Sequence, residues 1–206
     1  MVRWCALVSG VTGLVADLFL VLFYILYFGF ATGEFFGTAN DALIVVQYVA
    51  LVPVVLALGR LTGARGWTRV GLTAVVAVVV LQVALLAGLP FEIQVGPVSL
   101  CTIAAMCWAG GVSRTGKIPA AVARLGRLLL VALPIAAGAF AVGFAVTAVS
   151  GVSWAWIAGG LPGVVVWILF PVWTVRLFTS GVFAETPQRV LGPREPRSPV
   201  VRVPPP

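Results

Sequence analysis

The chain has 206 residues, of which 61% are hydrophobic and only 9% charged, and its formal net charge is +7. Soluble domains carry about 25% charged residues, so this composition excludes an ordinary soluble fold and points to lipid. The sequence has no histidine, which removes His-based metal sites, Ser-His triads and His-dependent phosphoryl chemistry together.

Crossing a bilayer takes roughly 20 apolar residues, and six such spans are predicted. The first runs from Leu7 to Phe28 behind Arg3. A signal-peptide core is about 7 to 15 residues long, so this run is read as a span and not as a cleaved leader. At its centre, in LVADLFL, stands one carboxylate, Asp17. A central Asp costs about 2.5 to 3.5 kcal/mol on the insertion scale, and each large apolar residue returns about 0.3 to 0.6. With fourteen such residues between Leu7 and Phe28, insertion still wins. On a helical wheel Ala6, Gly10, Gly13 and Tyr24 share the Asp17 face, opposite Val8, Val15, Phe19, Leu22 and Leu26. The acid is therefore expected to point into a bundle, where an intramembrane carboxylate is by default a functional hypothesis.

The second span is predicted over Asp41 to Leu58, the third over Val70 to Leu89 and the fourth over Gly96 to Val112. Glu92, Gln94, Gly96 and Pro97 blur the start of the fourth. Residues 74 to 81 do not alternate in polarity as barrel strands do. The fifth and sixth spans cover Leu125 to Val149 and Trp154 to Phe178. Counting helical rise from the span ends sets Gln82 at roughly the depth of Asp17, with Gln47, one heptad from Asn40, farther toward the opposite side from Arg3. Asp17, Gln82, Gln47 and Asn40 thus form a candidate intramembrane polar site, in which a protonated Asp17 would donate to an amide oxygen.

Loops rich in Lys and Arg stay in the cytoplasm. With the N-terminus inside, Arg3, Arg60, Arg65, Arg69, Arg114, Lys117, Arg124, Arg127 and Arg176 all fall on that side, as do the tail arginines Arg189, Arg194, Arg197 and Arg202. The other side carries Glu34, Asp41 and Glu92, read as solvated rim charge. The expectation is a six-helix bundle over residues 1–182 in the inner (plasma) membrane, with both termini cytoplasmic and attracted to anionic inner-leaflet lipid. No basic groove-reading module supports nucleic-acid binding. Trp4, Trp67 and Trp173 are expected at the inner interface and Trp154 and Trp156 at the outer one, with mid-span Trp167 packed in the core.

From Phe183 to Pro206 the proline-rich, arginine-rich sequence cannot bury a core and is expected to be a disordered cytoplasmic tail. Pro193-Arg-Glu-Pro196 is a polyproline pattern that a partner could dock, with a plain solvated tail as the preferred reading. Cys5, Cys101 and Cys107 make neither a C-x-x-C pair nor a zinc cluster and are read as packing residues, so no metal or cofactor is expected. Gly159-x3-Gly163 and the series Ala137, Ala141, Ala145 fit close helix approach, inside the bundle or in a homo-oligomer. Pro53, Pro134, Pro162 and Pro171 fall within spans as kinks.

Phe36-Gly-Thr-Ala-Asn-Asp41, followed by Gln47-Tyr48 and by Pro90-Phe-Glu-Ile-Gln-Val-Gly-Pro97, resembles families of small bacterial multi-pass proteins classed only as domains of unknown function. The resemblance implies the six-span topology from about Ala6 to Phe178 and brings no catalytic residues with it. No nucleophile and base pair is found, so an enzyme is not expected. A structural or interacting membrane component is the leading expectation. The alternative is a small-solute or cation/proton-coupled transporter using Asp17.

Overall fold

In lipid every backbone N–H and C=O must be satisfied within the protein, which leaves helices as the economical answer for long apolar runs. The computed structural model describes residues 1–30, 32–152 and 154–183, and these form helices joined by short turns, with no strand among the described residues. The helices are α1 (Val2–Phe30), α2 (Glu34–Thr62), α3 (Arg65–Leu86), α4 (Phe91–Ser113), α5 (Ala120–Ser150) and α6 (Trp154–Thr179). All six are long and apolar enough to cross a membrane. The 29 residues of α1 and of α2 rise about 43 Å at 1.5 Å per residue. That exceeds a hydrocarbon core of about 30 Å, so most helices begin or end outside the predicted apolar spans. The third span differs in the other direction. Its helix stops at Leu86, because Gly88 adopts a left-handed conformation (φ 97°) and turns the chain.

Two helix ends show how the hairpins are built. Gly63 and Gly151 have φ of 70° and 71°, and their N–H groups bond back to Gly59 O and Thr147 O. A residue with a Cβ is strained in that conformation, so glycine fixes where α2 and α5 stop. Pro90 and Pro119 stand directly before α4 and α5, where a missing N–H costs nothing.

Each helix packs on its neighbours in sequence, α6 returns to pack on α1, and α2 touches α4 across the middle. The result is a closed ring of helices. At one end Arg3 Nε donates to Phe178 O at 3.1 Å with its guanidinium 4.4 Å from the Phe178 ring centre, and Lys117 Nζ donates to Thr62 O at 2.9 Å. These contacts gather the basic helix ends into a basic end of the bundle; Glu34 and Asp41 lie toward the opposite, acidic end. The side chains of Glu92, Trp154 and Trp156, and the tail beyond Phe183, lie outside the described residues.

The core is densest toward the basic end. Trp108, Trp173, Phe170, Leu51, Leu58, Leu129 and Leu177 are fully enclosed there. Trp108 meets Trp173 edge-on at 5.6 Å, and Phe170 stacks on Trp173 at 6.3 Å. Small residues make room for the indoles: a Cβ on Gly71 would lie 2.6 Å from Trp108 Cδ1, and one on Gly111 2.7 Å from Trp67 Cε3. Two tryptophan expectations are corrected here. Trp173 is buried in the core and does not present its ring to lipid, while Trp167 is 37% exposed and faces outward. Helical phase is the reason: Val166, Phe170, Trp173 and Leu177 recur at four- and three-residue intervals on the buried stripe of α6, and Trp167 lies off it.

Candidate functional site: a buried polar layer

The four polar residues expected inside the membrane come from α1, α2 and α3, and their order follows from helix register. In the α1/α2 hairpin Gly37 packs on the Phe23 ring and Gly13 on the Gln47 amide. This antiparallel register sets Asp17 level with Leu43 and Ile44, between the pairs Asn40-Asp41 and Gln47-Tyr48. Those two pairs are a heptad apart on one face of α2, and Asn40, Gln47 and Tyr48 are buried. Gln47 was expected beyond Asp17. It lies instead about one turn nearer the basic end, because α2 continues to Thr62 and the register shifts with it.

Asn40 Nδ2 donates to Asp41 Oδ1 at 3.3 Å, and the Gln82 side chain of α3 lies in the neighbourhood of that carboxylate. Asp41 is therefore not merely a solvated rim charge. It is half-buried on α2 and accepts a hydrogen bond from Asn40. The pairing expected between Asp17 and an amide oxygen does not form. Asp17 Oδ2 is buried without a hydrogen-bond partner, and α1 packs on α2 and α6 while Gln82 is carried by α3. Gln82 Oε1 is likewise buried and unpartnered.

Sequence reasoning missed two members of this layer. Gln94 is 4% exposed with neither side-chain amide atom bonded. The α3/α4 register, fixed by Gly71 on Trp108 and Gly111 on Trp67, sets Gln94 level with Leu85, within a turn of Gln82. Tyr48 is buried with its ring 6.3 Å from that of Phe170 on α6. The signal available for Tyr48 was its heptad spacing from Asp41; for Gln94 it was the polar residue itself, which read as a blurred span start.

Around Asp17 the small face predicted for α1 is present. Ala6, Gly10 and Gly13 are buried. A Cβ on Gly10 would lie 2.7 Å from Thr174 Oγ1 and 2.9 Å from Pro171 O, and one on Gly13 2.6 Å from Gln47 Nε2 and 2.8 Å from Pro171 Cβ. Tyr24, expected on the same face, is 46% exposed. The small-residue motifs of α5 and α6 are only partly used. Gly159 packs against Ala139 O and Gly143, and Gly143 against Ala155 O and Gly159, so the working motif is Ala139-x3-Gly143 against Ala155-x3-Gly159. Gly163 meets nothing within 4 Å, and Ala137, Ala141 and Ala145 are exposed.

Two concavities lie away from this layer. One, of about 590 Å³, is a groove along α3 lined by Leu72, Thr73, Val76, Ala77, Val80 and Leu81. The other, of about 450 Å³, lies at the basic end between Arg114 and Arg127. Among the described residues no three His, Cys, Asp or Glu side chains converge as metal ligands.

Ring topology, apolar helices and an interior polar layer define the class: a multi-pass helical membrane protein. No family model, curated protein or solved structure matches the chain.

Proposed function

We propose that the protein is a structural or interacting component of a plasma membrane, with its basic end in the cytoplasm against anionic lipid. The observation that carries this reading is the backbone-close packing of Gly10 and Gly13 on α6 and Gln47, which makes the Asp17 face of α1 a joint between helices. Close approach through small residues is how helices associate where no hydrophobic difference drives them together. The gathering of Arg3, Arg60, Arg65, Arg114 and Lys117 at one end supports the orientation through the excess of cations in cytoplasmic loops. One observation favours a second reading, a cation- or proton-coupled transporter. The unpartnered Asp17 Oδ2 is an intramembrane acid of the kind that marks ion pathways.

Paired variants decide between them. If α1 is a packing element, Gly10→Leu destabilises the detergent-solubilised protein by about 1 to 3 kcal/mol through overpacking. Asp17→Leu then holds or gains stability, because it removes a buried oxygen left without a partner. Asp17→Asn leaves proton-driven uptake into vesicles at the level of wild type. Uptake that is present in wild type and lost in Asp17→Asn, with stability intact, overturns the structural reading.

The orientation is tested by thiol labelling in intact cells, in a background lacking Cys5, Cys101 and Cys107. Thr32→Cys and Ser150→Cys are exposed near the acidic end, and Gly66→Cys and Ala121→Cys near the basic end. An impermeant reagent is expected to label the first pair only; labelling of Gly66→Cys from outside reverses the orientation.

A further inference from the structure

We propose that the cleft at the basic end between Arg114 and Arg127 binds the phosphate headgroup of one anionic phospholipid of the phosphatidylglycerol type. The inference rests on the reading of this end as the one that meets anionic lipid, and narrows it to a single site. The cleft, of about 450 Å³, lies at the turn from α4 to α5, with Arg114 just after the last residue of α4 and Ala120 opening α5. Both arginines are exposed. Arg127 stands about 10 Å along the α5 axis from Ala120. Its Nε donates to Ala123 O at 3.4 Å, which turns the side chain back toward the helix start, as a cation near hydrocarbon does to reach the headgroup level. The outer nitrogens of both guanidinium groups have no partner among the described residues, whereas Ser113, which also lines the cleft, donates its hydroxyl to Ala109 O. Two guanidinium groups lining one opening are forked donors that match the oxygens of a phosphate.

The surroundings add to the case. Asp17, Glu34, Asp41 and Glu92 stand in mid-span or toward the acidic end, so among the described residues no carboxylate competes for these arginines. Helix α5 begins behind Pro119 with no side-chain cap, and its first backbone bond runs from Ala123 N to Pro119 O. The N–H groups of Ala120, Ala121 and Val122 therefore have no helical acceptor, and the positive end of the α5 dipole lies at the cleft. The turn itself is held in place, since Lys117 Nζ donates to Thr62 O at 2.9 Å and Ile118 is buried. The cleft is thus formed before a ligand arrives. A lipid and not a free phosphate is indicated by what lies beyond Arg127. Leu128, Val131 and Ile135 continue the exposed side of α5 toward the middle of the membrane, an apolar strip along which an acyl chain can lie. An ammonium headgroup would find no carboxylate here to pair with, which favours a glycerol headgroup over ethanolamine or choline.

The test uses the purified full-length chain in neutral detergent at constant ionic strength, titrated with phosphatidylglycerol, phosphatidylethanolamine or phosphatidylcholine, with inorganic phosphate and glycerol 3-phosphate as soluble arms. Tm and the lipid retained in native mass spectrometry are read. The expected result is a saturable rise in Tm and one retained lipid with phosphatidylglycerol, and neither with the zwitterionic lipids or the soluble phosphates. Arg114→Gln combined with Arg127→Gln raises the half-saturating lipid concentration about tenfold or more. Arg65→Gln combined with Arg69→Gln, the same change of charge on α3 outside the cleft, leaves it near wild type. Ala120→Asp sets a carboxylate in the cleft at a helix start that favours one, so it blocks the lipid effect without lowering Tm in lipid-free detergent, and it carries the test should the Arg114/Arg127 variant fail to fold. Equal weakening by the two arginine pairs overturns the site while leaving the general attraction of the basic end for anionic lipid intact. Labelling of Gly66→Cys from outside does the reverse: it overturns the cytoplasmic orientation and leaves the site standing. An equal rise in Tm with phosphatidylethanolamine or inorganic phosphate, no rise with phosphatidylglycerol, or a lipid effect that survives Ala120→Asp overturns the proposal.

Discussion

The two halves of the bundle use the same six helices and bury their interiors in opposite ways. Toward the basic end the space between helices is filled by Trp108, Trp173, Phe170 and the leucines around them, with glycines notched to receive the rings. Toward the acidic end the corresponding positions are Asn40, Gln47, Gln82 and Gln94, with several oxygens left unbonded. Lipid gives no hydrophobic reward for bringing apolar helices together, so the aromatic half must be held by shape and dispersion. The polar half shows one side-chain amide bond among the described residues, Asn40 to Asp41, and both halves keep buried polar atoms unbonded: amide groups of Gln82 and Gln94 in the second, the Trp108 and Trp173 indole N–H groups in the first. Rigidity is therefore expected of the first half.

The largest effect expected from breaking this contrast is Trp173→Ala. It empties the centre of the aromatic half, where Trp108 and Phe170 both lose their partner. The expected loss is about 3 to 5 kcal/mol, measured by chemical or thermal unfolding in detergent. A loss no greater than that of an exposed substitution would mean that the aromatic half is not the rigid one. Next in size comes Gly159→Val, whose side chain would be driven into the Ala139 carbonyl. Overpacking of this kind costs about 1 to 3 kcal/mol, and the matched Gly163→Val, in open space, is the comparison that isolates the contact. The smallest effect is expected from Ala141→Leu on the exposed side of α5, within about 0.5 kcal/mol of wild type. A large loss there would show that the exposed small residues of α5 are covered by something in the purified protein.

The helices were legible in the sequence because a run of twenty apolar residues has few other fates, and the gathering of arginines and Lys117 followed from counting spans. What was not legible was rotation and register. Trp173 and Trp167 have the same composition around them and differ only in phase on α6, which hydropathy does not report. Asp17 and Gln82 lie at similar depth, as counting from span ends expects, yet α1 packs on α2 and α6 and leaves α3 on the far side of α2, so the two side chains do not pair. Ala137, Ala141 and Ala145 carried the same spacing as Ala139 and Gly143. Only the helix that lies alongside decides which row is used.

The contact between α1 and α6 has a consequence for biosynthesis. Every other major contact in the ring joins helices adjacent in sequence, so each can form as soon as the next hairpin emerges; α1 must wait for the last helix to be made. Until then Gly10 lacks the Pro171, Thr174 and Val175 surface it packs on, Gly13 has only Gln47 of α2 beside it, and Arg3 has no Phe178 carbonyl to hold. Assembly therefore ends with a single closing event between the oldest and the youngest segments, and a chain halted before α6 would present the cell with an open ring whose seam is lined by Asp17.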